Sequence, residues 1–308
     1  MLVRLPEAMT VSDLRTLQRF GDVRLVAGDR PYQFTQRNRP DPRRYRSHRT
    51  DLAARSIILD DGLRAANPET IRHLYAGENP GYSIRVGDSA TNLVGTLRYS
   101  RGSGGNGDEG WRLMPVAAVK FSATNPRPGK PEVEGRLKVA SFNVLNFFSG
   151  IDTGRPTCGP RGNDGCRGAD SPDELSRQLQ KTVTAIEMMG ADIVGLVELE
   201  NNDSESISTI TDALNSKVGN GRFGFVDTGT AGEDTIKTGF LYDSSTVRPE
   251  GRHALLTSAV DARFNDARNR PAMAQTFREL STGALITVVV NHLKSKGSSC
   301  EEDGDPNR

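Results

Sequence analysis

The sequence lacks long hydrophobic runs, a net charge of one sign and a large supply of aromatic residues. No apolar stretch approaches the ~20 residues that a membrane-spanning helix needs, so no membrane span is predicted. The net charge is only +1, so any surface that binds an acidic polymer must be a local patch. Residues 1–6 show no apolar core or cleavage site of a signal peptide. The chain is then either cytoplasmic or a piece of something longer.

Cysteine is also scarce, with three residues in the chain. Cys158 and Cys166 lie in one Gly/Pro/Arg-rich loop, and their spacing suits a loop-closing disulfide and an oxidising compartment. Two unrelated free thiols are the alternative interpretation. Cys300 is left over, which suggests that its partner lies in sequence beyond the 308 residues.

Glycine and proline are abundant, and the mean hydropathy is negative, which together indicate a soluble, loop-rich, β-containing protein with room for two domains. In residues 1–124, short strand patterns alternate with turns, and this alternation predicts a small all-β barrel or sandwich. We predict strands at Met1–Leu5, Val23–Val26, Ser56–Leu59, Tyr82–Val86, Leu93–Tyr99 and Val116–Phe121, and short helices at Val11–Phe20 and Pro68–Leu74.

An arginine-rich segment, Arg37–Arg49, lies within this first region. Such a charge run is more often a solvated loop than a nucleic-acid contact, and we expect the loop. Residues 125–135 contain three prolines and no apolar periodicity, so we expect a linker and a domain boundary there.

Residues 136–308 change to an alternation of strands and helices. A capping box at Ser171 predicts the start of an amphipathic helix that ends at Gly190, and a second helix is expected from about Asn202. Strands are expected at Leu137–Val144, Asp192–Glu198, Gly224–Val226, Ile236–Tyr242, Ala272–Phe277 and Leu285–Val290. The last strand is almost wholly apolar, which predicts that both of its faces are covered.

Polar side chains stand at the ends of three of these strands: Asn143, Glu198 and His292. Hydrolysis of a phosphodiester needs a divalent cation on hard oxygen ligands and a group that bonds phosphate or protonates a leaving group. Asn143 and Glu198 supply such oxygens, and His292 supplies such a group. Each also has a structural interpretation, as a strand-end residue or a half-buried histidine.

The order and context of these motifs resemble the endonuclease/exonuclease/phosphatase superfamily, the DNase I-like fold, and most closely its bacterial extracellular nuclease branch. The resemblance rests on four stretches of the second region, Leu137–Asn146, Ala191–Glu198, Ile236–Tyr242 and Val290–Lys296, and on the loop that contains both Cys158 and Cys166. Residues 1–124 look like the OB-fold-like domain that precedes the nuclease in that branch. The resemblance therefore implies an N-terminal all-β OB-like barrel (1–124), a linker (125–135) and an α/β (α+β) DNase I-like sandwich (136–308), truncated.

The resemblance also assigns roles to residues. Asn143 and Glu198 match the residues that hold a divalent metal, Mg²⁺ or Mn²⁺ with Ca²⁺ also compatible, and His292 matches a catalytic histidine. Asp234 is the candidate acid that orients this histidine. Arg270, Asn291 and Lys294 are candidate contacts to phosphate or DNA, with Lys294 equally an ordinary solvated lysine.

The superfamily completes its site with a Gly-Asp-x-Asn motif and a terminal Ser-Asp-His motif. We expect both beyond Arg308, so that residues 1–308 form a fragment with about half of a catalytic site and little or no cleavage activity. The expected function is that of a secreted or periplasmic, metal-dependent nuclease acting on DNA, or also RNA, with low sequence specificity and no evident protein partner.

Two other functions fit the same sequence. One is a phosphoesterase of the same fold that acts on a lipid headgroup or inositol phosphate. The other is a catalytically inactive nucleic-acid binder that uses the first domain, in which Tyr82, Tyr99 and Trp111 are either base-stacking side chains or core residues.

Overall fold

The computed structural model describes residues 1–63, 66–68, 70–71, 73–74, 83–102, 107–219 and 221–295. The chain divides into two compact units, one within Met1–Gly129 and the other within Lys130–Ser298, and the division falls inside the 125–135 segment. Most of the regular structure is β-sheet, with a few helices. In the part of the chain described, no helix is long and apolar enough to cross a membrane.

The N-terminal unit is built on one seven-stranded sheet that curls into a half-barrel, with the strand order β1-β6-β7-β4-β3-β2-β5. Its strands are β1 (Leu2–Leu5), β2 (Met9–Asp13), β3 (Val23–Ala27), β4 (Ser56–Leu59), β5 (Ser89–Ala90), β6 (Leu93–Ser100) and β7 (Gly110–Pro115). Its helices are α1 (Leu17–Phe20), α2 (Phe34–Arg37) and α3 (Pro42–Ala54). Alternate aliphatic side chains of these strands form its core, among them Val11, Leu25, Leu59 and Leu113.

Several predictions for this unit are wrong. Val11–Phe20 is the end of β2 followed by one helical turn, and Leu14 and Leu17 pack on the core from there. Among the described residues of Pro68–Leu74 and Tyr82–Val86 there is no helix or strand, and Tyr82 itself lies outside them. Val116–Phe121 contributes only an isolated bridge at Val119, and the strand lies instead at Gly110–Pro115.

Arg37–Arg49 is also not a loop, because most of it belongs to helix α3. Asp41 caps that helix by accepting hydrogen bonds from the backbone N–H groups of Arg43 and Arg44, and Pro42 occupies its first position. Proline fits the first helical turn, where its missing N–H would have no partner. Pro42 therefore marks the start of a helix within a charge run for which we expected a loop.

The C-terminal unit has three layers. The four-stranded sheet, in the order β12-β13-β11-β8, carries helices on one face and a three-stranded sheet, β14-β15-β16, on the other. Its strands are β8 (Val139–Phe147), β9 (Pro156–Cys158), β10 (Asp164–Gly165), β11 (Ile193–Glu200), β12 (Phe223–Phe225), β13 (Ile236–Asp243), β14 (Val247–Leu256), β15 (Ala272–Glu279) and β16 (Leu285–Val290). Its helices are α4 (Pro172–Met189) and α5 (Glu205–Val218).

Strand β11 lies between the two cores of this unit. Val194 and Leu196 pack against α4 and α5, whereas Ile193 and Val197 pack against the three-stranded sheet. A strand with apolar side chains on both faces is the pattern expected of a central, doubly covered strand.

The prediction that β16 is covered on both faces is wrong. It is the last strand of its sheet, and Leu285 and Val289 are 57% and 53% exposed. Val290, by contrast, is buried between the sheets. The apolar composition of β16 therefore reflects an edge strand with one exposed apolar face.

Candidate functional site

Glu198 lies in a β-bulge near the carboxyl end of β11. The pairing of β11 with β13 shifts register between Val197 and Leu199, so Glu198 is the extra residue in that ladder. In the ladder with β8 the register also shifts there, but the additional residues lie on β8, between Asn143 and Phe147. The φ of Glu198 is +67°, the left-handed region that non-glycine residues seldom adopt. The bulge therefore takes the Glu198 side chain out of the regular alternation of the strand.

The packing of the neighbouring side chains shows the effect of this bulge. In a regular strand Leu199 would lie on the same face as Val197, because side chains two residues apart share a face. Val197 packs between the two sheets, but Leu199 packs under the helices. One inserted residue changes the face of the strand and leaves Glu198 half-buried at its rim.

Asn143 stands beside Glu198 on the parallel neighbour β8, opposite Val197 in the register. Its Nδ2 donates to Glu198 Oε1 at 2.7 Å, and its Oδ1 accepts from the backbone N–H of Leu145 at 2.7 Å. The backbone N–H of Asn146 donates to Glu198 Oε2 at 3.1 Å. Both carboxylate oxygens are thus held by β8.

Leu145 and Asn146, which follow Asn143 on β8, have positive φ angles like that of Glu198. Their φ values are +57° and +50°. Left-handed conformations at non-glycine residues are unfavourable and tend to cluster at functional sites. Here they turn the backbone N–H of Asn146 toward the carboxylate.

His292 reaches the same place from the other sheet, two residues beyond the end of β16. Its Nε2 lies 3.7 Å from Glu198 Oε1, which is beyond hydrogen-bond range but close enough for electrostatic interaction. Gly195 permits this approach, because a Cβ at that position would stand 3.2 Å from Val290. Asn143, Glu198 and His292 therefore converge on one rim of the C-terminal unit.

The His292 ring is partly buried, and its pKa is lowered from the usual value of 6.5. Burial is the largest cause, the nearby Arg270 cation adds to it, and Glu198 and Asp234 oppose it. The ring is therefore neutral at pH 7. Its Nδ1 has no hydrogen-bond partner in the described part of the chain.

Asp234 pairs with arginines. Its Oδ2 lies 3.1 Å from Arg270 Nε, which is an ion-pair contact. The angle at Nε is too far from linear for a hydrogen bond. The Oδ1 of Asp234 lies 3.8 Å from a guanidinium nitrogen of Arg167. The backbone N–H of Arg270 donates to the carbonyl of His292 at 3.2 Å. Asp234 thus acts on His292 through charge and through Arg270, without a hydrogen bond to the ring. Arg167 is a neighbour that the sequence did not single out.

The other two predicted phosphate contacts are near His292 in the chain. Asn291 is exposed. The backbone N–H of Lys294 donates to Asn269 Oδ1 at 2.9 Å, and its Nζ donates to the carbonyl of Ser295 at 2.9 Å. The first of these bonds holds the segment after β16 against the loop that carries Arg270.

Cys158 and Cys166 form a disulfide, as predicted, with Cα atoms 5.2 Å apart. The loop is tied to the strand that carries Glu198 through Glu200, which is 4% exposed. Glu200 accepts hydrogen bonds from the backbone N–H of Gly159, which lies in that loop, and from the backbone N–H of Ser149 at 3.2 Å, and burial raises its pKa. Glu200 therefore has a structural role, although it lies only two residues after Glu198.

The donor set near Glu198 suits a hard, hydrated cation. One carboxylate and one amide oxygen, with water and phosphate completing the shell, is a common arrangement for Mg²⁺. In this structure the amide nitrogen of Asn143 faces Glu198, so the amide must rotate to present its oxygen. Within the described residues, no three His, Cys, Asp or Glu side chains are grouped to hold a metal.

Some candidate residues lie outside the described residues. Lys296, a possible phosphate contact on the sequence, and Cys300 are among them. The segment Gly304-Asp305-Pro306-Asn307 also lies outside them. Its sequence fits the Gly-Asp-x-Asn motif, which we expected only beyond Arg308.

Comparisons with known proteins assign no function to the chain, so the function is inferred from the geometry of this site. No protein-family model matches the chain, and no curated protein matches it.

Proposed function

We propose that this protein is a divalent-metal-dependent phosphodiesterase, and most specifically a nuclease that acts on DNA with low sequence specificity. The observation that carries the proposal is the convergence of three side chains from separate segments. Asn143 bonds Glu198 at 2.7 Å, and His292 lies 3.7 Å from the same carboxylate oxygen. An oxygen-rich, strained rim with an imidazole beside it is the arrangement that metal-assisted phosphate chemistry needs.

In this proposal Glu198 and Asn143 hold Mg²⁺ or Mn²⁺, and the cation neutralises the phosphate oxygens. The resemblance to the endonuclease/exonuclease/phosphatase superfamily supports these roles. The hydrogen bonds from the Asn143 side chain and from the Asn146 backbone N–H fix the Glu198 carboxylate in place before a metal binds.

His292 is proposed to donate a hydrogen bond from its neutral ring to a phosphate oxygen. A lowered pKa keeps the ring uncharged at neutral pH. Arg270 is proposed to strengthen the phosphate site, since its guanidinium keeps donors that Asp234 does not occupy. Contacts of this kind recognise the backbone of DNA and not its bases, which is why we propose low sequence specificity.

The disulfide supports a secreted or periplasmic protein, because disulfides persist in oxidising compartments.

The test is a nicking assay on supercoiled plasmid DNA with the full-length gene product, in Mg²⁺, in Mn²⁺ and with excess EDTA. We expect metal-dependent nicking that falls at least about 100-fold in Glu198→Ala, the usual scale for loss of an electrostatic stabiliser. Glu205→Ala, an exposed glutamate at the start of α5, is the control and should nick like the unmodified protein.

Nicking that survives EDTA or Glu198→Ala would refute the proposal. Parallel assays on RNA, on phospholipid and on inositol phosphates identify the substrate class. Hydrolysis confined to lipid or inositol phosphate would replace the nuclease with a phosphoesterase of the same site.

A nucleic-acid binder without catalysis is a second candidate, and one observation favours it. Tyr99 and Trp111 are not core residues: they are 56% and 52% exposed, with ring centroids 5.3 Å apart on neighbouring strands. Exposed aromatic rings on a curled sheet are suited to stacking on unpaired bases. Binding of single-stranded DNA without cleavage, reduced in Trp111→Ala, would favour this candidate.

A further inference from the structure

The helix α3 of the N-terminal unit concentrates positive charge in a chain that is nearly neutral. The helix contains four arginines and one aspartate, whereas the whole chain has 40 basic and 39 acidic residues. A local basic patch of this kind can bind an acidic polymer even when the net charge is close to zero.

The helix is built so that its arginines face outward. Tyr45, His48 and Leu52, spaced by three and four residues, are its half-buried positions, and Arg43, Arg46 and Arg49 are exposed. Residues three apart on a helix are neighbours. These three arginines therefore form a stripe, which we call the α3 arginine stripe, along roughly 9 Å of helix.

Aromatic contacts hold this helix in place. The ring of Phe34, which is buried, lies 5.9 Å from that of Tyr45 and 5.7 Å from that of His48. The Arg49 guanidinium lies 6.0 Å from the centre of the Tyr45 ring. The stripe is thus presented on an anchored helix.

The acidic groups next to the helix already have partners. Asp13 pairs with Arg15, Asp108 with Arg24, and Glu109 with Arg101 at 3.9 Å. In the described residues, no carboxylate pairs with Arg43, Arg46 or Arg49. Like charges three residues apart disfavour a helix, so the stripe is an unfavourable feature for the isolated protein.

We propose that the α3 arginine stripe binds the phosphate backbone of a nucleic acid. Guanidinium groups bind phosphate oxygens with paired donors, and a row of three matches a linear array of phosphates. A membrane surface fits less well, because interfacial helices need large apolar side chains on the membrane face. The other exposed residues of α3 include no large apolar side chain: they are Arg44, Ser47, Thr50, Asp51, Ala53 and Ala54.

This binding goes beyond the proposed nuclease activity and does not depend on it. The stripe lies in the N-terminal unit, and Asn143, Glu198 and His292 lie in the C-terminal unit. Binding to the stripe requires neither a metal nor hydrolysis, so it can be measured while the nuclease site is inactive.

The experiment is a fluorescence-anisotropy titration of the whole chain with a labelled 20-base-pair DNA duplex, in EDTA, over a series of KCl concentrations. We compare the unmodified protein with R43Q/R46Q/R49Q, with R43K/R46K/R49K and with R4Q/R98Q/R101Q, a control that removes three other exposed arginines of the same unit. Each phosphate contact contributes a slope of about −0.9 to log K against log salt.

We expect R43Q/R46Q/R49Q to weaken binding at least about 10-fold at 0.1 M salt and to reduce the salt slope by up to about three. The lysine variant should keep most of the slope, and R4Q/R98Q/R101Q should bind within about 2-fold of the unmodified protein. Equal binding by R43Q/R46Q/R49Q, or the absence of binding by the unmodified protein, would overturn the proposal.

A second measurement needs no variant. Duplex DNA should protect Arg43, Arg46 and Arg49 of the unmodified protein from phenylglyoxal, as read by mass spectrometry. Protection elsewhere but not at these positions would contradict the proposal. So would binding through the stripe to vesicles of phosphatidylglycerol and phosphatidylcholine with none to duplex DNA.

Discussion

Glu198 combines a half-buried carboxylate with an unfavourable backbone conformation. Its φ of +67° costs a non-glycine residue roughly 1–2 kcal/mol, and its neighbours Leu145 and Asn146 share the left-handed region. Both strand ladders around the bulge, and the hydrogen bonds from β8, hold the residue there. The backbone conformation at this position orients the Glu198 carboxylate at a cost in folding stability.

Replacing Glu198 by glycine should therefore give a more stable protein than replacing it by alanine. We expect Glu198→Gly to exceed Glu198→Ala by about 1 kcal/mol in the free energy of unfolding, because glycine adopts positive φ without strain. Urea denaturation measures the difference. The same pair of substitutions at Ser141, on exposed regular strand, should show the opposite order. Equal stabilities of the two Glu198 variants would show that the bulge is not strained.

The titration of His292 tests its electrostatic surroundings. Burial and the Arg270 cation lower its pKa, so Arg270→Gln should raise it. NMR titration of the four histidines in EDTA, with His292→Gln for assignment, measures the shift. Arg263→Gln, which removes an exposed arginine, is the control. A fall in the His292 pKa in Arg270→Gln would contradict the placement of the cation.

The sign of the effect on stability follows from the same shift. A lowered folded-state pKa means that the unfolded chain binds this proton at a higher pH than the folded protein does. His292 therefore disfavours folding increasingly as the pH falls below about 6.5. Arg270→Gln should weaken this dependence.

At the scale of elements, β7 carries a fully buried charge of the N-terminal unit. Arg112 is 0% exposed and contacts Asp22 and Asp60 at 2.8 and 2.9 Å. Burial raises the pKa of Asp22 to about 6 in spite of the arginine. No local sequence pattern indicates this cluster, because its members come from β7 and from the loops next to β3 and β4.

Removing Arg112 should strongly destabilise the protein. We expect Arg112→Ala to lower the free energy of unfolding by about 3–5 kcal/mol, since it leaves two buried carboxylates without their cation. Arg98 is its cross-strand partner on β6 and is exposed, so Arg98→Ala should change stability by no more than about 0.5 kcal/mol. Urea denaturation compares them. If Arg112→Ala lowered the free energy of unfolding as little as Arg98→Ala, the buried cluster would not have the stabilising role that we assign to it.

Elements with a strong local signal were predictable from the sequence. The helix capped at Ser171 ends at Gly190 as expected, and the strand at Leu285–Val290 has the predicted bounds. The wrong predictions of secondary structure occurred where tertiary contacts, and not local sequence, determine the conformation. Leu14 and Leu17 suggested a helical face but pack from a strand end and a single turn, and the charged face of α3 concealed the weak apolar stripe of Tyr45, His48 and Leu52.

The same distinction holds for the site. Asn143, Glu198 and His292 stand at strand ends, which sequence patterns can locate. The bulge, the left-handed backbone of Leu145 and the pairing of Asp234 with Arg270 depend on register and packing between segments far apart in the chain. No local pattern encodes them.

At the scale of the molecule, the C-terminal unit joins residues separated by up to 149 positions, as between Asn143 and His292. A parallel pairing brings β8 beside β11, and the close approach of the sheets at Gly195 brings the end of β16 over Glu198. The layered arrangement thus concentrates oxygen ligands and an imidazole at one rim. We propose that this rim binds a divalent metal.

The most direct test is an anomalous-difference map from crystals of residues 1–308 soaked in Mn²⁺. We predict a peak roughly 2.0–2.3 Å from a Glu198 carboxylate oxygen and from Asn143 Oδ1 after rotation of the amide, and its loss in Glu198→Ala. A Mn²⁺ peak bound elsewhere, or an unchanged peak in Glu198→Ala, would contradict the account.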